Sequence, residues 1–244
     1  MVAYGFGEGL VVSDKLTLVT GVGPGTGASI ARRFAAGGYR VAMLARDARR
    51  LREMETGIPD SKAFPVDVTD TGGFGRTLDQ IEAELGVPDV VIHNAVGGAF
   101  GTFLEIDPAD LQRNFQTNVM ALLHLARRIA PAMVKRGTGA IIVTGNTSAL
   151  RGKPKFAGFA PTKAAQRVLA ESIARELGPR GVHVAYVVID AVIDSERSRK
   201  RQPDKSDEFF IRPDDIAEEV WHIAHQPRSS WSFNVEVRPF REIW

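Results

Sequence analysis

The feature that most constrains this chain is Thr20-Gly21-Val22-Gly23-Pro24-Gly25-Thr26-Gly27, which puts four glycines within eight residues. It lies between an apolar run, Leu16–Thr20, and a segment of helical period, Gly27–Gly37. A strand, a glycine turn and a helix start in that order let the backbone turn tightly. They also aim the unpaired N–H groups of the helix N-terminus at a negatively charged group such as a pyrophosphate. No Lys-Ser or Lys-Thr follows the glycines, which excludes a P-loop.

The same alternation continues along the chain. Short apolar runs predict strands at Arg40–Ala45, Ala63–Val66, Val90–His93, Ala140–Thr144, His183–Ile189 and Phe233–Val237, making seven with the first. Between them, apolar residues at three- and four-residue spacing predict helices over Ala48–Glu55, Phe74–Leu85, Pro108–Lys135, Ala157–Leu177 and Asp214–His225. This predicts an α/β fold, a single doubly wound Rossmann-type domain with a mainly parallel seven-stranded sheet. No linker or fixed-period repeat divides the chain, so residues 15–244 form one dinucleotide-binding domain behind a loose N-terminal extension, 1–14. Asp194–Arg212, polar and placed after the sixth strand, reads as a mobile loop over a ligand site.

Composition narrows the chemistry. With no cysteine, disulfides, thiolate metal sites and a cysteine nucleophile are excluded, which is compatible with a reducing cytoplasm. A formal charge of +2 implies no nucleic-acid partner, and no apolar run approaches the ~20 residues of a membrane span. No His, Asp and Glu cluster has metal-ligand spacing, so no metal is expected. The second strand ends at Ala45, without the carboxylate that would bind a ribose 2′-hydroxyl. Arg46 follows as a candidate partner for a 2′-phosphate, and Asp47 as the N-cap of the next helix.

Several motifs in order resemble the short-chain dehydrogenase/reductase family from about Leu16 to the C-terminus. The spacing Thr-Gly-x-x-x-Gly-x-Gly matches its cofactor turn. Asp67-Val68 resembles the adenine-contacting pair, and His93-Asn94-Ala95-Val96-Gly97 resembles the Asn-Asn-Ala-Gly strand end. Asn118-Val119 sits where the family keeps a structural and catalytic asparagine, and Lys163 fits the lysine of Tyr-x-x-x-Lys. The resemblance implies cofactor contacts from Gly21, Gly25, Thr26, Gly27, Arg46, Asp67, Val68, Asn94, Ala95 and Lys163. It implies NADP(H) rather than NAD(H), a small-molecule carbonyl or alcohol substrate, and a homodimer or homotetramer. The assembly would rest on the two long helices, whose Ala121, Leu122, Leu125, Ala164, Ala165, Leu169 and Ala170 exceed what one sheet contact needs. The aromatic segment Trp231–Trp244 is a further candidate contact.

The departures from the family fall on the chemistry. Phe159 stands four residues before Lys163, at the place of the family's proton-exchanging tyrosine, and has no proton to give. Asn146 stands 13 residues before Phe159, where the family has serine, with Ser148 two residues further on. The tyrosines are Tyr4, Tyr39 and Tyr186, none near this motif in sequence, and Asp190-Ala191 replaces the family's Pro-Gly. The catalytic set is therefore Asn118, Asn146, Ser148, Lys163 and Phe159 in place of tyrosine. The candidates for a substitute proton donor are a water on Lys163, Ser148, His93 and Asp190. Two functions follow: an oxidoreductase with an altered site, or a catalytically impaired NADP(H)-binding sensor or scaffold. The basic run Arg197 to Lys205 reads as a solvated loop.

Overall fold

The computed structural model describes residues 14–241. Its strands and helices alternate as Leu16–Thr20 (β1), Thr26–Ala36 (α1), Arg40–Ala45 (β2), Ala48–Gly57 (α2), Ser61–Pro65 (β3), Thr71–Leu85 (α3) and Val90–His93 (β4). Then come Pro108–Phe115 (α4), Ala121–Arg136 (α5), Gly139–Asn146 (β5), Ala160–Leu177 (α6) and Val182–Ile189 (β6). Val192–Ile193 (β7), Glu196–Arg201 (α7), Phe210–Ile211 (β8), Pro213–Ala224 (α8) and Asn234–Val237 (β9) complete the order.

Seven strands pair in the order β3-β2-β1-β4-β5-β6-β9, all parallel. The order reverses beside β1, where the chain crosses from β3 at one edge back to β4. A crevice opens at such a reversal, beyond the C-terminal ends of the strands. The central strands are apolar on both faces because helices cover both. Val19, Val41 and Met43 point to a core shared with Ile30 and Phe34 of α1 and Ile216 and Val220 of α8. Their neighbours Leu18, Ala42 and Leu44 point the opposite way, to Phe74 and Leu78 of α3 and Leu125 and Ile129 of α5. Alternation along each strand thus feeds two cores, and each fully buried Leu or Ile contributes roughly 1.5–3 kcal/mol.

The predicted α/β class and seven-stranded parallel sheet match the structure, with four local differences. The helix expected over Pro108–Lys135 is broken by a π turn, Gln116–Met120, where buried Asn118 turns its carboxamide toward the loop after β4. The helix expected from Ala157 begins at Ala160, because Phe159 N–H and Ala160 N–H both bond back to the Phe156 carbonyl in a turn. The stretch Asp194–Arg212 contains α7, capped by Ser195, and β8, which pairs in parallel with β7 just before the stretch. The guanidinium of Arg199 ties that stretch together, gripping Asp194 at 2.7 Å with two nitrogens and also pairing with Asp207. Finally, Ala121, Leu122, Leu125 and Ala170 are buried by this chain itself, so the surplus apolar face of the long helices shrinks to Ala165 and Leu169 beside exposed Val168.

Most of the expected N-terminal extension, and the last three residues of the aromatic C-terminal segment, lie outside the described residues. Among the described residues no helix is long and apolar enough to cross a membrane, and no group of three or more His, Asp or Glu could hold a metal ion.

Candidate functional site

The glycine turn at the end of β1 divides into two kinds of position. Gly21 has φ 72°, and a Cβ there would lie 2.6 Å from the Ala95 backbone. A Cβ on Gly27 would lie 2.5 Å from the Gly21 carbonyl oxygen. These two glycines let the turn close and let α1 approach the strand end. Gly23 and Gly25 face open space instead. Gly25 is the N-cap of α1, where no side chain caps the helix and no acidic residue occupies the first turn. The result is a concave stretch of backbone at the positive end of a helix dipole, open to an anion. Thr26 is buried beside it.

Polar side chains fasten this turn to the neighbouring strands. Asn94 donates from Nδ2 to the Gly21 carbonyl at 2.9 Å, and its Oδ1 accepts from the Thr144 hydroxyl at 2.9 Å. Thr20 Oγ1 accepts from the N–H groups of Asn94 and Ala95 at 3.2 and 3.3 Å, leaving its own proton for His93 Nδ1 at 3.1 Å. His93 is completely buried. Burial first, and then the charge of Lys163, pushes its pKa down to about 3, so it is neutral at ordinary pH.

At the other end of the crevice Arg46 is exposed just after β2, with no side-chain hydrogen bond or ion pair among the described residues. Asp47 caps α2 through the Arg50 N–H at 3.1 Å, as its position predicts. Asp67 Oδ1 accepts from the N–H and hydroxyl of Thr69 at 2.9 and 2.8 Å, which orients the carboxylate at the turn after β3. Val68 is half-buried against the α3 side of the core.

Lys163, Phe159, Asn118 and Asn146 converge beyond the ends of β4 and β5. The first turn of α6 presents Phe159 and Lys163 one turn apart, as residues four positions apart must be. The Phe159 ring is 5% exposed and packs on Phe100 at 5.2 Å between centroids. Lys163 is buried, and its Nζ donates to the Thr144 carbonyl at 3.2 Å and to Gln166 Oε1 at 2.5 Å. Burial without a carboxylate partner pushes the ammonium pKa down to about 7.

Gln166 is a residue the sequence reading missed. Its Nε2 donates to the Asn118 carbonyl at 2.6 Å, and its Oε1 also accepts from the Tyr186 hydroxyl at 3.3 Å. Tyr186, distant from the motif in sequence, therefore lies within two hydrogen bonds of Lys163. Burial raises the pKa of its phenol, which keeps its proton. The available signal was a glutamine three residues after Lys163, at a position on α6 that faces the sheet.

The polar atoms of Asn118 are engaged within the protein. Its carboxamide exchanges bonds with the Gly97 N–H and carbonyl at 3.0 and 2.9 Å, donates to Thr162 Oγ1 at 2.8 Å, and its carbonyl is taken by Gln166. It pins the loop after β4 to the start of α6. Asn146, the last residue of β5, accepts the Ser148 N–H at Oδ1 (3.1 Å) and has Nδ2 without a partner among the described residues, available to donate. Ser148 is 7% exposed and lines a cavity of about 650 Å³. Asp190 faces the guanidinium of Arg238 at 3.9 Å.

A reversed parallel sheet with an uncapped helix start on its first glycine turn defines a dinucleotide-binding α/β protein. Residues 15–206 match the short chain dehydrogenase family, and the chain belongs to it. It is 28% identical over 236 residues to the 7alpha-hydroxysteroid dehydrogenase of Escherichia coli K12, with 92% of each chain covered. It is 31% identical over 192 residues to a short chain dehydrogenase of Pseudocercospora fijiensis, spanning 62% of that protein's length. Among solved structures, a metagenomic short-chain oxidoreductase in complex with NADP superposes with a TM-score of 0.81 at 28% identity, covering 95% of this chain and 99% of that one.

Proposed function

We propose that this chain is an NADP(H)-dependent oxidoreductase that interconverts a carbonyl and an alcohol on a small molecule through an altered acid/base site, and that it works in the cytoplasm. The observation that carries the reading is the glycine turn. Gly21 and Gly27 admit no Cβ, whereas Gly23 and Gly25 leave open backbone at the uncapped start of α1, which fits a dinucleotide pyrophosphate. The cofactor, when bound, supplies or accepts the hydride.

The chain's own residues do the rest. Arg46 is free to pair with a 2′-phosphate, since Asp47 is engaged at the start of α2. Asp67 is oriented for the adenine and Lys163 for the nicotinamide ribose. Asn146 donates its unpaired amide to the substrate oxygen. Of the four substitute acids, His93 is too weakly basic to carry a proton at neutral pH, and Asp190 is held by Arg238. A water on Lys163 and the Ser148 hydroxyl remain, and Lys163 is the better matched, because a pKa of about 7 lets it hold and release a proton at neutral pH.

One observation favours a second reading, a catalytically impaired NADP(H)-binding sensor or scaffold. Phe159, four residues before Lys163, has no proton to give, and its ring packs on Phe100. Calorimetric titration tests the shared premise. NADPH binds roughly tenfold more tightly than NADH, and Arg46→Ala removes that preference. Equal affinities in the wild type, or a preference that survives Arg46→Ala, overturn the NADP(H) assignment. Single-turnover assays over a panel of carbonyls and alcohols then separate the oxidoreductase from the impaired protein.

A further inference from the structure

Two loops beside the site frame the cavity that Ser148 lines. One follows β4 and contributes Thr102 and Phe103; the other follows β5 and contributes residues 148–157. The Gly101 N–H donates to the Lys155 carbonyl at 2.8 Å, and Gly101 and Phe156 form a β-bridge that joins the two loops. The cavity, at about 650 Å³, has the size of a small-molecule site. Its wall is apolar where α6 and the loops meet, with Phe103, Leu150, Phe156, Ala160 and Ala164. Arg151, Lys153 and Lys155, within five residues of one another, also line the cavity, and no carboxylate joins them.

None of these three side chains has a hydrogen bond or ion pair among the described residues. In the other basic stretch Arg199 pairs with Asp194 and Asp207 and Lys200 with Glu196, so its charges are partly balanced. Three like charges without counter-charges repel one another and create a positive potential at the mouth of an apolar cavity. Lys155 also stands at φ 66°, a left-handed conformation that favours glycine, so the loop holds a long side chain where the backbone would prefer none.

We propose that this cavity takes a small molecule with an apolar body and an anionic head group, the head lying against Arg151, Lys153 and Lys155. The inference rests on the oxidoreductase reading and names the substrate class of that site. Of the wall residues, Ser148 lies two residues from Asn146, and Phe156 packs on Phe100, which packs in turn on Phe159, each at 5.2 Å between centroids. An apolar body along these rings points its far end toward Asn146 and Lys163, while its charge stays at the cationic loop.

The test uses three probes with one apolar body, decanoate, 1-decanol and decyltrimethylammonium, titrated calorimetrically into the cofactor-free protein below their micellar concentrations. Decanoate binds about tenfold more tightly than decanol, and decyltrimethylammonium more weakly than either. In the triple variant Arg151→Ala, Lys153→Ala, Lys155→Ala, decanoate falls to the affinity of decanol, while the decanol affinity is retained. The cations are exposed, so the variant keeps the folded circular-dichroism spectrum. Three equal affinities, or a decanoate preference that persists in the triple variant, overturn the proposal. It is likewise overturned if no probe binds and Phe103→Asp converts an oligomer to a monomer, which assigns the face to a second copy of this chain. Failure of the oxidoreductase reading shows separately, as absence of nicotinamide cofactor binding, a measurement independent of the probes.

Discussion

A single missing oxygen at residue 159 separates the two functional readings. Restoring it with Phe159→Tyr places a phenol one helical turn from Lys163, whose positive charge favours phenolate and so lowers the new group's pKa. In an impaired binding protein with an otherwise intact site, the variant gains carbonyl reduction from a baseline near zero. In an enzyme that already uses Lys163, the wild type turns over its own substrate, and the added hydroxyl crowds the contact with Phe100 and slows it. Single-turnover rates of both proteins on the same panel decide. Lys163 carries a second prediction. Its folded pKa of about 7 lies below the unfolded value of about 10.4, so between them the unfolded chain binds the extra proton and stability rises with pH. The groups facing the amine are His93, which titrates only in the acid range, and Tyr186, which matters above about pH 10. From about pH 7 to about pH 9.5, urea unfolding of the wild type therefore shows a gain of a few kcal/mol. Gln166→Glu puts a carboxylate on the amine, raises its pKa and flattens the profile. A wild-type curve that is already flat contradicts the buried neutral lysine.

At the scale of elements, the site depends on how closely β5, β6 and α6 approach. Gly145 on β5 lies over the Tyr186 ring of β6, where a Cβ would come within 2.2 Å of ring carbons and the hydroxyl. Gly145→Ala is therefore an overpacking change, expected to cost about 1–3 kcal/mol. Adding Tyr186→Val makes room for the methyl group and recovers part of the loss, in a double-mutant cycle read by urea midpoints. Costs that simply add would mean the two side chains do not compete for the same space. The π turn belongs to this scale too. One extra residue in the turn swings Asn118 out of helical register and into the gap between Gly97 and Thr162, which positions the loop after β4 over the site.

For the whole molecule, we propose a homodimer or homotetramer that uses the α6 face. Ala165 and Leu169 are only half-buried there, and Val168 is 62% exposed, while Ala164 lines the cavity instead. Light scattering gives two or four times 26.6 kDa at micromolar concentration, and Val168→Glu shifts the mass toward the monomer. A wild type at 26.6 kDa contradicts the assembly.

Periodicity and turn chemistry are local, so the chain order of strands and helices, the glycine turn and the Asp47 cap could all be read from residues close together in sequence. The parallel sheet follows as well, because strands buried on both faces read as near-continuous apolar runs. Contacts between residues far apart in sequence were not legible. Only the folded chain brings Tyr186 to Gln166 and Lys163, commits the carboxamide of Asn118 to Gly97, sets Asp190 against Arg238, and leaves Arg151, Lys153 and Lys155 unpaired at a cavity mouth. Hydrogen bonding and desolvation depend on distance in space, which residue spacing along a chain does not measure. Sequence by itself determined the frame of strands, helices and glycine turn. Tertiary structure decided which polar groups remain free to act.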